Sequence, residues 1–197
     1  MISAVARRFK SEGYRVTMMG KNLQDLDPIA DEIKAYAVRI DVCDPASVET
    51  AFMQAGPVDV LVNCAVIARA SSTLRTDVRV WEEHLKVNLT SAFLCSLKVL
   101  PGMLKRSRGA IINVPILFSP KNGTFLGGVY ASMYGLIGFT RSLAAEYSTN
   151  GIRINAVCPS CIDSTETEEL AVELSELHSV ESTTVLEGFR EQSGNRD

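Results

Sequence analysis

Helix-like and strand-like segments alternate strictly from residue 2 to residue 159, and this order restricts the fold more than any single motif. The strand-like runs are "YRVTMMG" (14–20), "YAVRID" (36–41), "VDVLVNC" (58–64), "GAIINV" (109–114) and "IRINAVCP" (152–159), and they are apolar in stretches instead of at every second residue. A strand that is apolar on both sides needs cover on both faces, which a parallel sheet flanked by helices supplies. The pattern therefore predicts an α/β fold with a doubly wound parallel sheet. Between the strands lie helical segments. The first spans 2–13 and closes at Gly13, a residue suited to the left-handed conformation after a helix. The next are 23–34, with Pro28 early in it, and 44–56, where Asp44 can cap and Pro45 fits the first turn. Segment 129–151 follows the same rule, whereas 76–107 is too long for one unbroken helix and is expected to kink at Pro101.

Composition excludes several classes. Hydrophobic residues are 46% and charged residues 22% of the chain, ordinary values that argue against wholesale disorder. The formal charge of −3 gives no basic face, so nucleic acid is not an expected partner. No apolar run approaches the roughly 18 residues of a membrane span, and the start "MISAVARRFKSEG" is too short and charged for a secretory signal, so no membrane association and a cytoplasmic location are expected. Five scattered cysteines, an odd number, read as reduced thiols and not as a disulfide framework. After Asp163 the sequence turns acidic and polar, and one amphipathic helix followed by a loosely held tail is expected.

The ordered segments "DVLVNCA", "KVNLTSAFLCSLKVLPGM", "GAIINV", "ASMYGLIGFTRSLAAEY" and "GIRINAVCPSCID" resemble the short-chain dehydrogenase/reductase family over roughly residues 1 to 165. Within it, "ARASSTLRTDVRVWEEHLKVNL", with Leu74 and Arg75, most resembles the 3-oxoacyl carrier-protein reductases. The resemblance implies a Rossmann-like sheet. It divides the chain into an incomplete dinucleotide-binding domain, 1–163, and a C-terminal acidic tail, helical or flexible, 164–197. "MISAVARRF" aligns inside the family's glycine-rich segment, so the family's first and last strands have no counterpart, and the edges of 14–20 and 58–64 are expected to face a gap. Each buried backbone group left unpaired there costs about 1–3 kcal/mol.

The cofactor implied is NAD(P), held at the carboxyl ends of the strands. Asp41 and Val42 match the adenine-contacting pair, a carboxylate for the amino group and an aliphatic wall for the ring; the alternative is that Asp41 only ends a strand. Lys21, following Gly20, stands where an acidic residue would bond a ribose 2′-hydroxyl, which favours NADP, although it also reads as an ordinary surface lysine. Asn63 and Ala65 belong to the "NCAV" turn, in which Val66 replaces a glycine and should weaken binding. Pro159, Ile162 and Ser164 are the expected remnants of nicotinamide and pyrophosphate contacts.

The family's proton relay is largely replaced. Its tyrosine, whose free pKa is near 10, needs a lysine one helical turn on to pull it toward neutrality. Through "ASMYGLIGFTRSLA" the tyrosine position falls on Val129 and the lysine position on Met133, while the serine position falls on Ile116; Asn88 alone matches its role. Tyr130 lies about 100° around the helix from the required direction and Tyr134 about 140° away. Aromatic packing explains both.

Other candidates read simply. Cys158 and Cys161 have a C-x-x-C spacing found in redox and zinc sites, but they overlay the family's turn after a strand and no second pair follows, so no metal site is assigned. His84 and His178 are expected to be exposed or loosely packed. Glu166, Glu168 and Glu169 suit the start of a helix. The implied activity is NADP(H)-dependent reduction of a small-molecule carbonyl or acyl thioester, in impaired form. The alternatives are a non-catalytic scaffold, pairing with itself or an intact paralogue through 88–106 and 129–149, and an unstable fragment of a longer reductase.

Overall fold

The computed structural model describes residues 1–117, 124–160, 162 and 164–192. Five strands run in parallel pairs: β1 (Thr17–Gly20) with β2 (Tyr36–Arg39), and β3 (Val60–Asn63) with β4 (Gly109–Asn113) and β4 with β5 (Ile152–Ala156). They form a two-stranded and a three-stranded sheet. Among the described residues no strand pairing joins β1 to β3, which leaves the expected gap between them. Strand β1 starts at Thr17, three residues later than the sequence suggests. Gly13, at φ +85°, reverses the chain there, and Tyr14 stacks edge-on to Phe9 at 5.2 Å instead of extending the strand.

Helices α1 (Ile2–Ser11), α2 (Leu23–Ile33) and α3 (Pro45–Ala55) form where expected. Asn22 and Asp44 cap α2 and α3 through their side-chain oxygens. Met18 of β1 packs with Ala6 of α1 and Leu26 and Ala30 of α2 on one face. On the other face Val38, Ile40, Val48, Phe52, Val99, Met103, Ile111 and Ile154 make a core to which both sheets contribute. A shared core holds together two sheets that no ladder joins.

Residues 78–106 are continuously helical, as α4 (Val78–Leu85), a wider π-type turn (Lys86–Thr90) and α5 (Ser91–Arg106). The expected interruption exists, but at Lys86–Thr90 and not at Pro101, which sits inside α5. By length and composition alone this 29-residue helix could cross a membrane. Here its apolar side carries Cys95, Val99, Leu100 and Met103 into the core.

Helix α6 (Gly127–Tyr147) precedes β5, with Gly151 in the connection; a Cβ at Gly151 would stand 2.2 Å from the Ser107 carbonyl oxygen. The acidic segment forms two helices, α7 (Thr165–His178) and α8 (Ser182–Gln192), in place of the expected single helix and loose tail. The reason is apolar: Leu170, Leu174 and Phe189 are buried with Ile116, Leu126, Val129 and Met133.

Candidate functional site

The carboxyl ends of β1 and β2 bring Lys21 and Asp41 together. Lys21 Nζ lies 3.2 Å from Asp41 Oδ2, with both groups open to solvent. Asp41 Oδ1 accepts the Cys43 amide at 3.0 Å, and the Asp41 amide donates to Ser47 Oγ at 2.8 Å. The Cys43 bond, more than Lys21 and Lys86, holds the Asp41 carboxyl below its ordinary range. The corner is thus an ionised, half-exposed carboxylate with an accessible ammonium beside it. Val42 packs against the shared core directly below.

At the ends of β3 and β4 the polar groups are turned inward. Asn63 Nδ2 donates to Asn113 Oδ1 at 2.8 Å, Asn113 Nδ2 donates to Thr140 Oγ1 at 2.8 Å, and Thr140 donates to the Leu136 carbonyl. This chain ties the sheet to α6. Asn88, on the π-type turn, accepts the Ile67 amide at 2.8 Å and donates to the Ile67 carbonyl and to Ser132 Oγ, each at 2.9 Å. Both of its N–H donors are engaged, so Asn88 clamps the loop after β3 to α6. Ser132 passes the bond to the Val129 carbonyl at 2.7 Å.

His84 contradicts the expectation of a loosely packed histidine. It is 2% exposed, Nδ1 donates to the Val80 carbonyl at 2.8 Å, and Nε2 accepts the Arg69 amide at 3.1 Å. Burial pushes its pKa down, consistent with that neutral tautomer. Glu173 of α7 accepts the Ala70 amide at 2.7 Å, and the Ser71 amide donates to the Phe125 carbonyl. The 67–71 loop is therefore fastened by α4, the π-type turn, α7 and the segment leading into α6. His178 is exposed and touches Phe125 edge-on at 5.0 Å.

The positions to which the resemblance assigns the proton relay lie in an apolar cluster. Val129 is fully buried, Met133 is 1% exposed and Ile116 6%, packed with Leu170 and Leu174; Val66 and Ile162 border the same cluster. Tyr130 lies at its margin, with its ring 6.1 Å from that of Tyr134, which is exposed. The remaining cofactor candidates serve local structure. The Pro159 carbonyl accepts the Leu117 amide, the Ile162 carbonyl accepts Thr167 Oγ1, and Ser164 caps α7 through the Thr167 amide; Ala65 lies half-buried in the turn after β3.

A family model described as short chain dehydrogenase matches residues 3–174. The chain belongs to the short-chain dehydrogenase family. Curated relatives include an "Inactive 2-(S)-hydroxypropyl-CoM dehydrogenase 2" of Xanthobacter autotrophicus, 36% identical over 82% of this chain and 73% of that one. A 3-oxoacyl-(acyl-carrier-protein) reductase of Staphylococcus aureus is 32% identical over 88% of this chain and 74% of its own length. Among solved structures, an F189W variant of actinorhodin polyketide ketoreductase with NADPH superposes at a TM-score of 0.83, with 29% identity over 92% of this chain and 74% of that one. The short-chain dehydrogenase fold of parallel sheets with flanking helices is what the strand pairing shows.

The sequence signals missed Ser132, Thr140, His84 and Glu173. Ser132 and Thr140 are small hydroxyls on the buried side of an apolar helix, and a polar residue in that setting is the one signal that could have drawn attention to them. Nothing in the sequence links Glu173 to Ala70, 103 residues earlier. Desolvation pushes the half-buried Cys64 thiol up to about 11 and the buried Cys95 thiol up to about 12, and Cys158 is exposed, while Cys161 lies outside the described residues. Among the described residues no group of three or more His, Cys, Asp or Glu side chains is placed to hold a metal ion.

Proposed function

We propose that this chain is an NADP(H)-type short-chain dehydrogenase/reductase that keeps the adenosine end of the cofactor site and does not transfer hydride at the rate of intact relatives. The observation that carries the reading is the burial of Val129, Met133 and Ile116 among Leu170 and Leu174. Proton transfer at a carbonyl oxygen needs an ionisable group with a tuned pKa, and valine, methionine and isoleucine offer none. Asn88 does not substitute, because both of its donors are held by Ile67 and Ser132.

The exposed corner fits one end of the cofactor. Lys21 can neutralise a 2′-phosphate, Asp41 can accept from an adenine amino group, and Val42 supplies an apolar wall. The nicotinamide end does not fit, since Ser164, Ile162 and Pro159 are engaged in capping α7 and bonding Leu117. NADP(H) supplies hydride when bound to intact relatives. The substrate class nearest this reading is a small carbonyl or acyl thioester, from the similarity to the 3-oxoacyl reductase. Titration with NADPH should give saturable binding weaker than an intact reductase shows, with no acetoacetyl-thioester reduction above background. Reduction at the rate of an intact relative would refute it.

Pairing through the two long helices is a second reading favoured by a separate observation. Phe93 and Leu97 on α5 and Tyr134 on α6 are exposed, and Phe93 contacts Phe139 of α6 edge-on at 6.0 Å. Sedimentation should then report a dimer that Leu97→Lys dissociates.

A further inference from the structure

The exposed corner is already occupied by the chain itself. Of the two Asp41 carboxylate oxygens, Oδ1 accepts the Cys43 amide at 3.0 Å and Oδ2 lies 3.2 Å from Lys21 Nζ. The loop is not free to turn and offer a different edge, because the Asp41 amide donates to Ser47 Oγ and Val42 is packed against the shared core. Oδ2 is therefore the oxygen left for a ligand, and Lys21 stands on it.

The two partners differ in freedom. The Lys21 side chain is 77% exposed against 39% for Asp41, and its flexible four-carbon stem can carry the ammonium elsewhere. Lys86, the other cation near this corner, acts on Asp41 by charge alone and makes no hydrogen bond to it. Among the described residues the Lys21 ammonium is thus the group that covers Asp41 and the one that can leave.

The chemistry of the nucleotide makes this consequential. A 2′-phosphate and the adenine amino group lie at opposite ends of one nucleoside, so a single ammonium cannot stay against Asp41 and also reach the phosphate once the amino group is seated on Oδ2. Without the phosphate nothing draws Lys21 away. Its positive charge then stands beside the amino hydrogens that approach the carboxylate, and groups of like sign at one acceptor weaken each other's hold. An ion pair this exposed opens at little cost, so the effect is a matter of a few-fold in affinity.

Resting on the adenosine-end reading above, we infer that the Lys21–Asp41 contact couples recognition of the 2′-phosphate to recognition of the adenine: Lys21 moves to the phosphate and thereby opens Asp41 to the amino group. A nucleotide without the phosphate meets a closed Asp41. Lys21 then acts in two senses, as a ligand for NADPH and as a competitor against NADH. A lysine that only neutralised a phosphate would leave NADH binding untouched.

The test is calorimetric titration of the full chain with NADPH, NADH and the 6-deamino (hypoxanthine) forms of both, which carry a carbonyl in place of the amino group. In the native chain, deamination should weaken NADPH binding at least about twofold more than it weakens NADH binding. Lys21→Met, which keeps the stem and removes the ammonium, should weaken NADPH binding yet tighten NADH binding by about two- to fivefold, with no such gain for deamino-NADH. Lys86→Met removes a charge from the same corner without opening Asp41 and should not tighten NADH binding. Equal deamination penalties with and without the phosphate, NADH binding that is unchanged or weaker in Lys21→Met, or an equal gain in Lys86→Met would each overturn the coupling and leave the cofactor reading standing. Failure of the native chain and of both variants to bind any of these nucleotides would remove the cofactor reading and the coupling together.

Discussion

Two corners of this molecule, both at carboxyl ends of parallel strands, are built from opposite materials. At Lys21 and Asp41 the groups are charged, exposed and bonded to each other; around Val129 and Met133 they are apolar and sealed by α7. Cofactor recognition tolerates the first arrangement, because a pair in solvent exchanges its partners at little cost. Proton transfer does not tolerate the second, because a dry apolar cluster neither ionises nor admits a polar substrate. On the proposed reading, this contrast is how one half of a family's site could be kept while the other is lost.

Substitutions at the apolar corner should break the contrast most sharply. Met133→Lys places an ammonium without a partner among Leu170 and Leu174 and is expected to destabilise by about 3–5 kcal/mol, read as a large fall in the urea midpoint. An unchanged midpoint would mean that the corner opens readily. Asn88→Ala leaves both backbone groups of Ile67 and the Ser132 hydroxyl short of a partner. At about 1–3 kcal/mol per group, a loss on the order of 3 kcal/mol is expected, with no change in NADPH binding at the other corner.

Between pH 8 and 5, above the range in which Asp41 titrates, acidity should act on the sealed side. Burial lowers the His84 pKa from its ordinary 6.5, so the folded state resists a proton that the unfolded chain accepts. Its contribution is intact above pH 6.5 and is lost progressively as pH falls below it, through the folded value. Thermal melts between pH 8 and 5 should show this decline, and His84→Gln should flatten it. The smallest stability effect is expected at the exposed corner. Lys21→Ala should change stability by less than about 1 kcal/mol while reducing the preference for NADPH over NADH.

Much of the fold was legible because apolar strands covered on both faces leave a strong trace, and because Asp44 and Pro45 mark a helix start unambiguously. The π-type turn was not, since one extra residue per turn does not alter the apolar pattern around Asn88. Helix α8 was hidden by its polar composition, in which Phe189 is the single aromatic residue and is buried. His84 was misread because its partners, Val80 and Arg69, offer backbone atoms, which leave no mark in a sequence. At the candidate site the resemblance assigned the relay positions to Ile116, Val129 and Met133 from motif alignment. Their enclosure by Leu170 and Leu174 could not, because it depends on where α7 folds back.

Single-turnover transfer of deuteride from 4-deuterated NADPH to an acetoacetyl thioester, followed by mass spectrometry, bears most directly on the claim that the relay is missing. No label should appear in the hydroxyacyl product beyond the enzyme-free control, even with the chain saturated by cofactor. Stoichiometric label at the rate of an intact reductase would contradict the account.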